Sequence, residues 1–84
     1  MSLGNPISDP FGALNLPRAV RTQAVKLLQN INAGATVIDT LRAADRAEGF
    51  VLGIETVRAL RPADIETLYR AYDEATQSRL AELI

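Results

Sequence analysis

Four carboxylates and two tyrosines crowd one short stretch of the chain: Asp64, Glu66, Tyr69, Tyr72, Asp73 and Glu74. These residue types build acid/base pairs and hard-cation sites, because a carboxylate can hold a proton or offer oxygen to a cation. Their spacing argues for something plainer. On a helix, Tyr69 and Tyr72 share a stripe with Ile65 and Leu68, while Glu66, Asp73 and Glu74 fall on the opposite side. Core tyrosines and solvated carboxylates are therefore expected. Asp45 and Arg46 lie in a second charged stretch, where local pairs with Arg42 and Glu48 suffice to account for them. The chain contains no histidine and no cysteine, which removes the usual neutral-pH acid/base group, thiolate nucleophiles, disulfides and nearly all transition-metal ligation. No glycine-rich phosphate loop, nucleophile elbow or calcium-loop spacing is present. The expectation is a protein without catalytic, cofactor-binding or metal-binding residues, and not an enzyme.

The basic residues pose a different question. From Pro10 to Ile38 the chain holds Arg18, Arg21 and Lys26 and no acid, in a molecule whose formal net charge is −1. Such a cluster is the beginning of a phosphate-contacting face, and these three residues are the candidates for nucleic-acid contact. A nucleic-acid surface is generally larger and backed by positive net charge, so a solvated helix face is the preferred reading. A helix-turn-helix is also disfavoured, because the helix that would enter the groove opens with Asp64 and Glu66, which phosphates repel.

Three helices must carry these side chains. Pro17 suits a first helical turn, and Val20, Ala24, Leu27, Leu28 and Ile31 then form one apolar stripe, giving a first helix over 17–31. Asn32, Ala33 and Gly34 supply the stop. A second helix begins at Ala35 or Thr36 and extends to Leu60. Its second half is apolar nearly all round, and Gly49 and Gly53 each cost about 1 kcal/mol against alanine in a helix interior. A continuous helix is the preferred outcome, ahead of a break near Gly49 or a short strand over 50–57. Arg61-Pro62 marks the next boundary. The third helix that follows has a regular stripe of Ile65, Leu68, Tyr69, Tyr72, Ala75, Leu80 and Leu83, with a Glu66–Arg70 pair one turn apart on its polar side.

Short turns between three helices predict an all-α, three-helix up-down-up bundle in which the long second and third helices form a hairpin. Residues 17–84 are its helical domain. Residues 1–16 hold two of the four prolines and no helical period, and read as an extended N-terminal arm, with Met1, Ser2 and Leu3 as residues left from recombinant expression. With 84 residues, 48% of them hydrophobic and 23% charged, the chain has the balance of a globular protein rather than a disordered one. No apolar run approaches the roughly 18 residues that span a bilayer, and no signal peptide is apparent. No membrane contact and a cytoplasmic location are expected. Eight arginines against one lysine, with thirteen alanines and eleven leucines, match the coding bias of a GC-rich bacterial genome.

Helix lengths then locate a surface. At 1.5 Å per residue the first helix is too short to cover the far end of the hairpin, which leaves Phe50, Val51, Leu52, Ile54, Val57, Leu60, Ile65, Leu68, Tyr69 and Tyr72 without cover from it. An apolar surface of that size on a water-soluble chain calls for a cover. The N-terminal arm, with Phe11, Leu14 and Leu16, is one; a second chain is the other, and a twofold homodimer is the commonest closed form. Gly49, Phe50, Gly53, Ile54, Val57, Leu60, Leu68, Tyr69 and Tyr72 are the expected interaction residues, with Gly49 and Gly53 under a close crossing by the arm, the third helix or a second chain. The function expected is a small helical protein–protein interaction or assembly module, homodimeric or bound to a protein partner, ahead of a nucleic-acid-associated accessory protein and of a small enzyme or ligand binder.

Overall fold

A computed structural model describes residues 10–84. The described residues form three α-helices and no strand: α1 over Arg18–Asn32, α2 over Val37–Thr56 and α3 over Pro62–Leu83. Each helix packs against both of the others, so the sequence-based expectation of a three-helix bundle holds at that level. Residues 1–9 of the expected arm lie outside the described residues.

The start of α1 follows from Pro17, whose backbone carbonyl accepts the first helical hydrogen bond, from the Arg21 amide at 2.9 Å. Ala24, Leu27, Leu28 and Ile31 are buried, as the stripe predicts, and Val20 is half-buried. The helix closes with the Ala33 amide donating to the Gln29 carbonyl at 2.9 Å. Gly34 is required at the turn that follows. A methyl group there would collide with the Thr40 hydroxyl, and the Gly34 carbonyl accepts a 2.8 Å bond from Arg79 Nε of α3. The α1–α2 turn is thereby tied to the far end of α3.

Thr36 caps α2, its hydroxyl accepting from the Asp39 amide at 3.0 Å, which satisfies one of the free amides of the first turn. The helix then runs unbroken through Gly49 and Gly53. Its inward residues are small, Thr40, Ala43, Ala47 and Val51, which lets α1 and α3 approach the α2 backbone. Thr40 is fully buried and its hydroxyl is satisfied by donating to the Thr36 carbonyl at 2.8 Å.

The end of α2 departs from the expectation. It stops at Thr56, four residues before Leu60. The Arg58 amide donates to the Glu55 carbonyl at 3.0 Å and the Ala59 amide to the Ile54 carbonyl at 3.2 Å, the paired bonds of a Schellman termination. Arg58 adopts φ 56°, the left-handed conformation that glycine ordinarily supplies at this position. With arginine rather than glycine at position 58, periodicity alone carried the expected helix past its true end.

Pro62 opens α3, where the missing amide hydrogen costs nothing. Asp64 follows in the first turn; its carboxylate is buried and paired with Arg61 Nε at 3.3 Å, in a position that the helix dipole favours.

Residues 10–16 contribute Phe11 and Leu16 to the packed interior. Residues 10–13 form a turn, with the Leu14 amide donating to the Phe11 carbonyl at 3.0 Å. Phe11 is fully buried and Leu16 nearly so. The Phe11 ring meets the edge of Tyr72 with centroids 5.7 Å apart and planes 68° apart, an attractive aromatic geometry. Tyr72 in turn donates from its hydroxyl to the Ala24 carbonyl at 2.8 Å. One buried tyrosine thus joins α3, α1 and the segment before α1.

Candidate interaction surface

The expected interaction residues separate into three groups. Leu68 and Tyr72 are core residues, with 0% and 4% exposure. Phe50, Ile54, Leu60 and Tyr69 are half-buried against that core. Gly49, Gly53 and Val57 are exposed. Phe11 and Leu16 explain this division, because they enter the same cluster as Val51, Ile65, Leu68 and Tyr72 and cover much of what α1 is too short to reach.

The surface that remains open lies on the outward face of α2. A Cβ built on Gly49 or on Gly53 meets no atom within 4 Å. Among the described residues, neither α3 nor residues 10–16 cross over them. Around these glycines stand Leu52, 55% exposed, and Val57, 71% exposed, while Ile38 and Leu41 toward the helix start are 61% and 44% exposed. Leu52 was counted from the sequence among the uncovered apolar residues but not among the expected interaction residues, and Ile38 was in neither group. The signal for them was their position on the wheel opposite Ala43, Ala47 and Val51, which identifies them once the buried side of α2 is known.

Charges border this face. On the side toward α1, Asp39, Arg42 and Arg46 lie beside Asn30 and Ala33. On the side toward α3, Asp45 and Glu48 share a cleft of about 120 Å³ with Tyr69, Tyr72, Asp73 and Thr76. The local pairs expected for Arg42 and Arg46 are not formed: the ion pairs among the described residues are Arg61–Asp64, Arg70–Glu66 and Arg79–Glu82. The Tyr69 hydroxyl donates to Glu55 Oε1 at 3.0 Å. Desolvation raises the Tyr69 pKa above its ordinary value, and the Glu55 contact raises it further. Burial raises the Tyr72 pKa as well. Both phenols are neutral at pH 7. Among the described residues no group of three or more acidic side chains is arranged to hold a metal ion.

The basic trio is also divided. Arg18 and Lys26 are exposed, but the Arg21 guanidinium donates from Nη1 to the Phe11 carbonyl at 3.0 Å and from Nη2 to the Leu14 carbonyl. Arg21 therefore holds the turn before α1 against the bundle. No helix among the described residues is long and apolar enough to cross a membrane. Comparison with protein-family models, with curated proteins and with solved structures returns no match for this chain.

Proposed function

We propose that this chain is a small non-enzymatic assembly module, bacterial and cytoplasmic, that pairs with a second copy of itself through the outward face of α2. An up-down-up course of the helices and an N-terminal arm laid along the bundle belong to the same reading. The supporting observation is the open space above Gly49 and Gly53 in an unbroken helix, flanked by exposed Leu52 and Val57. Two interior glycines cost a helix about 2 kcal/mol together against alanine. Among the described residues nothing packs over them to offset that cost. A helix from a second copy can approach a glycine surface more closely than any other, and the approach removes Leu52 and Val57 from water. The hairpin tip inferred from the sequence narrows to this face, because Phe11 and Leu16 already cover the core beneath the rest.

The test is the mass in solution. Sedimentation or light scattering over a concentration series is expected to give about twice the chain mass of 9.1 kDa. Gly53→Leu is expected to return the protein to monomer with unchanged helix content by circular dichroism. A mass of one chain at every concentration would overturn self-association.

A further inference from the structure

The cations of this chain divide by what holds them. Arg61, Arg70 and Arg79 are paired with Asp64, Glu66 and Glu82, all within α3 or at its start, and Arg21 is bound to the carbonyls of Phe11 and Leu14. Lys26 on α1 and Arg42 and Arg46 on α2 enter no ion pair among the described residues. Unpaired positive charge therefore gathers on α1 and α2, while Asp45, Glu48 and Asp73 line the cleft between α2 and α3.

That charge borders one groove. Between α1 and α2 lies an open groove of about 400 Å³, lined by Asn30, Asp39, Arg42 and Arg46 over small residues that include Gly34 and Ala43. Arg42 and Arg46 are one turn apart, about 6 Å along the axis. Lys26 is exposed and stands one turn before Asn30 on the same side of α1. Because α1 contains no acid, three cations meet one carboxylate, Asp39, in a chain whose net charge is −1. The stretch over 10–38 held too few cations for a phosphate-contacting face; the fold withdraws Arg21 from it and adds Arg42 and Arg46 from α2.

The lining of the groove decides the class of partner. A protein interface is anchored by large apolar or aromatic side chains in a desolvated pocket, and a single-stranded nucleic acid by aromatic rings on which its bases stack. This groove is lined by neither; it offers charged and amide groups over alanine and glycine. A duplex phosphate backbone requires little besides cations, and the arginine fork matches phosphate oxygens. We propose that the α1–α2 groove holds the phosphate backbone of a nucleic-acid duplex through Lys26, Arg42 and Arg46, without reading its sequence. The proposal is independent of self-association, and a pair of copies presents the groove twice.

The test is fluorescence anisotropy of a labelled DNA duplex of about twenty base pairs, titrated with the full chain from about 20 mM salt upward. Each neutralised phosphate contributes about −0.9 to the slope of log affinity against log salt, so three cations give about −2.7 for one copy and about −5.4 for a pair. Arg42→Gln/Arg46→Gln, with helix content retained, is expected to weaken binding at least about tenfold at about 20 mM salt and to reduce the slope by about 1.8 per copy. Arg70→Gln, on α3 and paired with Glu66, is expected to leave binding unchanged. Duplex binding by a strict monomer with the single-copy slope leaves the groove standing and overturns self-association. No saturable binding at about 20 mM salt, equal losses in Arg70→Gln and in the groove variant, or capture of anionic lipid vesicles in place of the duplex overturns the proposal.

Discussion

Gly49→Ala and Gly53→Ala should act with opposite sign on folding and on pairing. Each replaces a glycine in the interior of α2, where a Cβ meets no atom within 4 Å. Among the described residues no contact is lost and no overlap is created. The change then reduces to the backbone: alanine in a helix interior is favoured over glycine by about 0.8–1.0 kcal/mol, largely because glycine has more freedom to lose. The double variant should gain about 2 kcal/mol. For a chain of this length total stability is on the order of 4–13 kcal/mol at ~0.05–0.15 kcal/mol per residue, so the gain is a large fraction of the whole. It corresponds to a rise in Tm of about 8–16 °C at ~4–8 °C per kcal/mol for domains of this size. Urea unfolding followed by far-ultraviolet circular dichroism, at concentrations low enough to keep the chain monomeric, measures it directly. In the concentration series used for mass, the same two methyl groups stand in the seam and should weaken pairing. Unchanged or reduced folding stability would refute the reasoning, since it would mean that the glycines lie under another part of the chain or outside a regular helix.

Two further outcomes concern the core. Phe11→Ala removes a fully buried ring that packs on Tyr72 and should cost about 3–5 kcal/mol, read as a lower urea midpoint; a cost below about 1 kcal/mol would show that the segment before α1 is not part of the packed interior. The alkaline limb of stability should be set partly by Tyr72, whose pKa is raised in the folded chain by burial. Its contribution is fully present below the unfolded-state value of about 10 and is lost as pH rises above it, because the unfolded chain then releases a proton that the folded chain retains. Tyr72→Phe should flatten that fall in stability measured from pH 9 to 12.

The helices were legible wherever local chemistry marks them. Pro17 and Pro62 announce two starts, and Thr36 with its hydroxyl at the next. Ala24, Leu27, Leu28 and Ile31 announce the buried side of α1. The end of α2 was not legible, because its left-handed residue is Arg58 rather than glycine, and a periodic pattern has no means of stopping itself. The surface was half legible. Gly49, Gly53 and Val57 were singled out and are exposed, but Leu68 and Tyr72 were placed on the same surface and are interior.

What the sequence determined by itself is the class of the molecule: three helices, a core of aliphatic residues with one aromatic pair, and no histidine or cysteine to build a reactive centre. What only the tertiary structure decided is which apolar residues remain in water. A helical wheel ranks side chains by angle, yet burial depends on what lies across from them. Phe11 and Leu16 carry no periodic signal, and they nonetheless supply the cover that the lengths of the helices leave missing. Arg21 illustrates the same physics from the polar side. Its type and position suggested a phosphate contact, and the carbonyls of Phe11 and Leu14, brought to it by the turn before α1, claim its hydrogen bonds instead. Local preference sets the elements because it acts between neighbours in sequence; exposure is a sum over contacts between distant segments, and that sum exists only once the chain has packed.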